Sequence, residues 1–344
     1  MRTKDLLLAP LHIAALASGA KSFCDNPILG SPWLNGKGLH RQRIKLAENM
    51  SDMRRRRLEN LVSGQEAESF ERDGFIVLEN VLADDDFARL SNEVERNRFR
   101  ATEMKQGNAV TRFIPLPPHL LKSYPALRDF TGGRVFRDRL RYVASTRGDP
   151  ITYLHTVLTD PGKGKPDPQT AFHSDTFHAT AKAWFFLRDV HEEDGPFVYV
   201  PGSHRLTPGR LAWEQAQSEH AASHPNRLHA RGSFRATADE IRSMGFGEPR
   251  SLAVPANTLI VADTHGFHAR GPSSRPSVRI GIYGSLRRSP FLPWTGLDPF
   301  CLPGIVGRKA VMHEWLDRKM ANYKGKKPSL LDVGMLHPGD PAVR

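Results

Sequence analysis

The chain has 344 residues, 39% of them hydrophobic, and carries 49 Lys+Arg against 37 Asp+Glu for a formal charge of +12. That length can bury a sizeable core in one large or two small domains, yet no apolar run approaches the roughly 20 residues of a membrane-spanning helix. Cys24 and Cys301 alone exclude a disulfide framework and fit a reducing compartment, and 26 prolines with 28 glycines suit a turn-rich β fold better than a helical bundle.

Residues 1–62 read as a separate basic extension. Leu6 to Ala17 is apolar and follows Arg2 and Lys4, with Ala15-Leu16-Ala17 resembling a cleavage site. Asp5 ahead of the run and His12 within it argue against export, so a cytoplasmic location is expected. A turn-rich passage (Asn26-Pro27, Gly30-Ser31-Pro32, Asn35-Gly36-Lys37-Gly38) leads into a helical run containing Arg54-Arg55-Arg56-Arg57. The plain reading is a solvated helix. The sharper one is peripheral contact with the inner membrane surface, Leu6, Leu7, Leu8 and Trp33 entering the bilayer while the arginines meet anionic head groups. Nucleic acid is disfavoured, because no aromatic–basic interleaving or helix-turn-helix pattern accompanies the arginines.

From Glu66 the pattern changes. Phe70 to Leu78 reads as a helix end, a glycine turn and a short buried strand, and Asp84-Asp85-Asp86 supplies an N-cap and acidic first turn for a helix with Phe87, Leu90 and Val94 on one face. Ala126 to Arg141 reads as a helix interrupted at Gly132-Gly133. Ile151 to Leu158 alternates and is β-branched, hence a strand. Ala183 to Leu187, Gly195 to His204, Leu252 to Asp263 and Ser277 to Gly284 read as further strands and turns of an antiparallel barrel or jelly roll. Between them, residues 205–249 are polar and helical, an insertion expected to cover the barrel mouth. A C-terminal helical tail, 301–344, is expected to pack outside.

The chemistry is carried by Ala171-Phe172-His173-Ser174-Asp175. On an extended strand His173 and Asp175 point the same way, an imidazole and a carboxylate side by side. With a third ligand from a distant strand they would form the two-His-one-carboxylate grip of non-haem Fe(II) oxygenases. His265 and His268 compete for that third place and, three residues apart on a strand, cannot both face the metal. His-x-Asp by itself is common in proteins, and His220, His224 and His229 are read as solvated.

Three blocks are similar to the phytanoyl-CoA dioxygenase-like iron oxygenases: Arg72-Asp73-Gly74 running into an acidic-capped helix, Lys182 to His204, and Phe267-His268-Ala269-Arg270-Gly271-Pro272 leading to Arg279. The resemblance covers about Glu66 to Arg288. It implies a mainly β fold with flanking helices, a double-stranded β-helix of the jelly-roll, cupin-like kind, over residues 63–300. It implies Fe(II), 2-oxoglutarate and O2, with His173, Asp175 and His268 as metal ligands and catalytic centre. Arg279 would fork onto the distal carboxylate of 2-oxoglutarate, a planar match that Lys cannot supply. The His-to-Arg separation selects His268, leaving His265 to packing. Lys182 and Thr170 are further candidates for co-substrate contact, and Arg270 stands where the family often has a small polar residue. The implied activity is hydroxylation of a small-molecule or lipid-like substrate with release of succinate and CO2. Two alternatives remain at this point: a non-catalytic cupin-like metal or small-molecule binding protein, and an oxidative nucleic-acid demethylase.

Overall fold

The computed structural model describes residues 8–343. Arg2, Lys4, Asp5, Leu6 and Leu7 of the N-terminal reading lie outside the described residues. Eleven strands occur among those described: β1 (Phe75–Leu78), β2 (Phe99–Gln106), β3 (Ala109–Pro115), β4 (Ile151–Thr159), β5 (Thr180–Phe186), β6 (Phe197–Tyr199), β7 (Arg250–Leu252), β8 (Thr258–Asp263), β9 (His268–Arg270), β10 (Ser277–Arg287) and β11 (Leu331–Leu336). Eight form one unclosed antiparallel sheet in the order β1-β8-β5-β10-β4-β3-β2-β11, and β7-β6-β9 form a second. This is the expected mainly β, jelly-roll type of fold.

Side-chain alternation explains the two layers. Leu259 and Val261 of β8, Ala181, Ala183 and Phe185 of β5, and Ile280, Ile282 and Leu286 of β10 face the helices. The intervening Ile260, Ala262 and Phe186 face the small sheet and join Phe197, Tyr199 and Leu252 in a second cluster. Strands β5 and β8 are covered on both sides, which is why their sequences read as continuous apolar runs.

The helical layer begins with Gly64–Asp73, where a capping box links Ser63 and Glu66, whose carboxylate is also held by Arg139 at 2.8 Å. Gly74 ends that helix at φ 87°, and a Cβ there would meet the Tyr199 hydroxyl at 2.6 Å. The next helix, Asp84–Glu95, has all three aspartates in its first turn, but Ala83 rather than an aspartate occupies the N-cap. Helices Pro125–Gly132 and Arg134–Val143 meet at Gly133, as the glycine pair suggests.

Two segments differ from the sequence expectation. Of the four-arginine run, only Arg56 and Arg57 face solvent. Arg54 is 2% exposed and donates to the carbonyls of Ser145, Pro290 and Leu292, while Arg55 stacks over Phe70. The helix Leu39–Arg56 also buries Ile44 and Ala47 against Phe177, so it is a packed part of the fold. The C-terminal tail is not wholly helical: after the helix Lys309–Tyr323, β11 pairs with β2 at the sheet edge. Leu331, Val333 and Met335 alternate with Asp332 and Gly334, but the run is short, carries a glycine and buries no residue fully, a weak signal for a strand. No helix of the described residues is long and apolar enough to cross a membrane.

That tail is tied down by Arg112 of β3. Its guanidinium, fully buried, pairs with Glu103 at 2.6 Å and donates to the carbonyls of His337, Pro338, Asp340 and Pro341. Arg112→Met strands the Glu103 carboxylate without its partner, and urea unfolding is expected to show a loss of about 3–5 kcal/mol. A loss below about 1 kcal/mol would mean the pair behaves as a solvated surface pair.

Candidate metal and co-substrate site

His173 and Asp175 sit between the 3-10 turn Pro168–Thr170 and β5, on an extended segment that joins no regular strand. The sequence expectation of a single strand is corrected here, and the reason lies in the hydrogen bonds. Ser174 N–H donates to Phe234 O, while Asp175 N–H donates to Thr264 O, so the segment is laced between two different neighbours. His173 itself forms a reciprocal bridge with His268: each backbone N–H donates to the other's carbonyl at 3.0 Å. Directly opposed residues of an antiparallel pair project to the same side. The two imidazoles therefore lie together, ring centroids 4.4 Å apart.

Asp175 completes the group. Its carboxylate oxygens lie 4.0 Å from His173 Nε2 and 3.8 Å from His268 Nε2, and one donor atom from each of the three residues fits within 4.8 Å. Both rings have a fixed tautomer. His173 Nδ1 lies 2.8 Å from Ala171 O, and His268 Nδ1 lies 2.9 Å from Gly266 O. A carbonyl can only accept, so each Nδ1 carries the proton and each Nε2 turns its lone pair toward Asp175. Burial pushes the His173 imidazole well below its usual range and His268 down to about 4, which keeps both neutral at pH 7. Burial alone would raise Asp175, but the Lys182 ammonium and the two imidazoles hold its carboxyl well below the usual carboxylate range. Two neutral imidazoles and one carboxylate, aimed inward and fixed from behind, fit a divalent transition metal.

His265 is elsewhere. Its Nδ1 lies 2.9 Å from Thr176 O and its N–H donates to Asp263, so it braces the segment behind Asp175. Gly266 supplies the carbonyl that orients His268, and a Cβ there would come within 1.9 Å of the Tyr199 hydroxyl.

The three donors open into a cavity of about 250 Å³ floored by the inner face of the large sheet. Strand register brings Arg279 of β10 opposite Val157 and then Thr111, with Gly281 opposite His155 and then Phe113. Arg279 is 9% exposed, and its Nε has no hydrogen-bond partner among the described residues. The nearest acids are engaged: Asp167 pairs with Arg270 at 2.5 Å and Asp194 with Arg275 at 2.8 Å. Burial, with Arg270 nearby, pushes Arg279 down to about 9, still charged at neutral pH. A buried guanidinium without its own carboxylate is a ready receptor for one supplied by a ligand.

The other two candidates separate. Lys182 of β5 lines the cavity, with its Nζ 2.6 Å from Asp175 Oδ2, so it serves the carboxylate first. Thr170 does not line it: the 3-10 turn directs its hydroxyl onto Asp167 O at 2.7 Å, and Gln169 faces the cavity instead. The insertion 205–249, expected as a cover, lends no described residue to the cavity wall. It packs on the N-terminal segment through a 2.9 Å contact between His40 and Glu214.

Some residues escaped the sequence reading. His155, stacked on Tyr283 with centroids 5.1 Å apart, lines the cavity beside Gly281. Its place on an alternating strand was the available signal. Lys21, which donates to the backbone carbonyl of Asp175, comes from a segment with no motif at all.

A family model described as phytanoyl-CoA dioxygenase (PhyH) matches residues 70–240. An ectoine dioxygenase of Bordetella parapertussis is 31% identical over 267 residues, 69% of this chain and 80% of the relative. The chain belongs to the phytanoyl-CoA dioxygenase family. Bovine peroxisomal phytanoyl-CoA dioxygenase is 27% identical over 166 residues, 42% of this chain and 49% of the relative. Among solved structures, EctD from S. alaskensis with 2-oxoglutarate and 5-hydroxyectoine has a TM-score of 0.41 at 14% identity, covering 65% of this chain and 76% of that one. The epimerase SnoN from nogalamycin biosynthesis has a TM-score of 0.42 at 20% identity, covering 68% and 91%. With its His-Asp-His group, this family member is an iron- and 2-oxoglutarate-dependent dioxygenase.

The histidines behind the centre make a pH prediction. Burial pushes His178 and His265 down to about 3. Below about pH 6.5 the unfolded chain binds a proton at each while the folded chain does not, until pH approaches the folded values. Stability is therefore lost as pH falls, by up to about 1.4 kcal/mol per pH unit per group. Urea unfolding of the metal-free chain at pH 7.0 and 5.0 is expected to differ by roughly 2–4 kcal/mol. Equal stability at both pH values would contradict neutral burial.

Proposed function

We propose that His173, Asp175 and His268 hold Fe(II) and that Arg279 receives the distal carboxylate of 2-oxoglutarate, so that the chain hydroxylates a compact small molecule. The observation that carries this is the pairing, in one cavity, of three inward-facing donors with a buried guanidinium that lacks an acid of its own among the described residues. When bound, the iron and co-substrate supply the oxidising chemistry, in which 2-oxoglutarate becomes succinate and CO2 and an oxygen atom is delivered to substrate. The protein's part is positional. Ala171 O and Gly266 O keep the Nε2 lone pairs aimed, and Lys182 keeps Asp175 charged and fixes its rotamer. Trp184, Phe186 and Phe197 exclude water from the reacting space.

Size and lining bear on the substrate. A cavity of about 250 Å³ shared with the co-substrate favours a compact molecule over a long acyl chain. The Bordetella relative named ectoine dioxygenase supports the same reading. Succinate formation with Fe(II), O2 and 2-oxoglutarate is the direct test, and it separates an oxygenase from a non-catalytic binding protein. His268→Ala is expected to remove both succinate formation and tight Fe(II) binding. Arg279→Lys is expected to raise KM for 2-oxoglutarate at least about tenfold while metal affinity is kept. Metal binding unchanged in His268→Ala would reject the ligand set.

A finer part of the reading concerns the N-terminal segment. Leu11, Ile13 and Trp33 are 67%, 58% and 70% exposed, which supports peripheral contact with a lipid surface, although the inward turn of Arg54 and Arg55 halves the basic patch. Co-sedimentation with anionic vesicles is expected to fall in Leu11→Ser/Ile13→Ser. Retention equal to the parent chain would reject membrane contact.

A further inference from the structure

Four cations stand around Asp175 and Lys182; Lys182 alone of them lines the cavity, and the other three have no part in holding iron or 2-oxoglutarate. Arg235 is the second bridge partner of His173, so its side chain leaves the backbone on the same side as that imidazole. One end of its guanidinium donates to Ser233 O and Oγ at 2.6 and 2.7 Å, and it forms no ion pair among the described residues. Arg287 ends a row on β10. Arg279, Gly281, Tyr283, Ser285 and Arg287 share one face, running from the buried guanidinium to the exposed rim. Ser285 is opposite Lys182 and Arg287 opposite Thr180, which sets Arg287 diagonally beside Lys182. Lys21 arrives from the N-terminal segment and binds the carbonyl of Asp175.

Lys21 is close enough to be repelled by Lys182, Arg235 and Arg287, Lys182 is likewise repelled by Arg287, and Asp175 is the acid that Lys21, Lys182 and Arg235 share. Lys182 already occupies that carboxylate. Lys21 and Arg235 are half-buried, so water screens their repulsion only in part. Like charges gathered in this way raise the local potential and draw in an anion.

We propose that the substrate carries an anionic group, a carboxylate or a phosphate, that docks on Arg235 and Arg287 with Lys21 behind them, next to the open side of the metal. This rests on the iron and 2-oxoglutarate reading and adds the substrate's charge to it. Two guanidiniums offer forked donors to either oxyanion, and the C–H presented for oxidation lies near the charged group rather than at a remote apolar end.

The test uses the full chain loaded with Mn(II) and saturating 2-oxoglutarate, with paramagnetic relaxation of added probes as the readout. Inorganic phosphate is followed by its 31P signal and acetate by its carboxylate 13C signal, against a Zn(II)-loaded control. The expected result is a relaxation enhancement for at least one of the two anions. It should fall at least fivefold in Arg235→Gln/Arg287→Gln and remain unchanged in Arg89→Gln, an exposed arginine on the helix Asp84–Glu95. Enhancement of phosphate alone or acetate alone supports the proposal and identifies the oxyanion. No enhancement, or one that survives the double substitution, overturns it. The Mn(II) EPR spectrum, read separately on the parent chain, reports whether metal and 2-oxoglutarate bind. Their failure to bind would sink the underlying reading, whereas normal binding without anion enhancement would sink the anionic substrate alone.

Discussion

Two backbone hydrogen bonds between His173 and His268 hold this centre together. Each residue donates to and accepts from the other at 3.0 Å, and that pairing puts two imidazoles from distant parts of the chain on one side of the fold. A ladder contact of this kind fixes side-chain direction without any side-chain chemistry. Carbonyls at Ala171 and Gly266 then take the Nδ1 protons, and the constraint passes to the Nε2 lone pairs. Gly266 can do this only because it lacks a Cβ where the Tyr199 hydroxyl lies, and that hydroxyl is itself bound to Asp263 O at 2.7 Å. The metal-facing geometry is thus set by main chain and by tight packing behind it.

Charge is arranged along the same sheet face. At the deep end Arg279 stands without an acid among the described residues, because Asp167 and Asp194 are taken by Arg270 and Arg275. At the other end Lys182 neutralises Asp175, while Arg235 and Arg287 remain unmatched among the described residues. Arg270, unusual in sequence for its position, is explained by its 2.5 Å contact with Asp167: it closes the wall and spares Arg279 a competitor. The cavity wall carries more fixed positive than negative charge, Lys182, Arg270 and Arg279 against Asp175, which suits an anionic co-substrate.

The strands were legible because alternation and continuous apolar runs report burial directly: β4, β5, β8 and β10 all lie where Ile151–Leu158, Ala183–Leu187, Leu252–Asp263 and Ser277–Gly284 suggested. His173, Asp175, His268 and Arg279 were legible as a spaced set, and the structure brings them to one cavity. The irregular path of the His173–Asp175 segment was not, since its hydrogen bonds go to Phe234 and Thr264, residues remote in the chain. Thr170 stands off the cavity wall because a local 3-10 turn claims its hydroxyl. Lys21, Arg54 and Arg235 were illegible for a common reason. A cation in a polar sequence looks solvated, and only tertiary packing decides that Arg54 is 2% exposed or that Arg235 flanks a histidine.

Everything about the activity depends on where a metal settles. The most direct measurement is anomalous X-ray scattering at the iron edge from crystals of the chain grown anaerobically with Fe(II) and 2-oxoglutarate. A single strong peak within bonding distance of His173 Nε2, His268 Nε2 and an Asp175 carboxylate oxygen, with the co-substrate's far carboxylate on Arg279, is the result this account predicts. A peak beside His265, or none near Asp175, would contradict it.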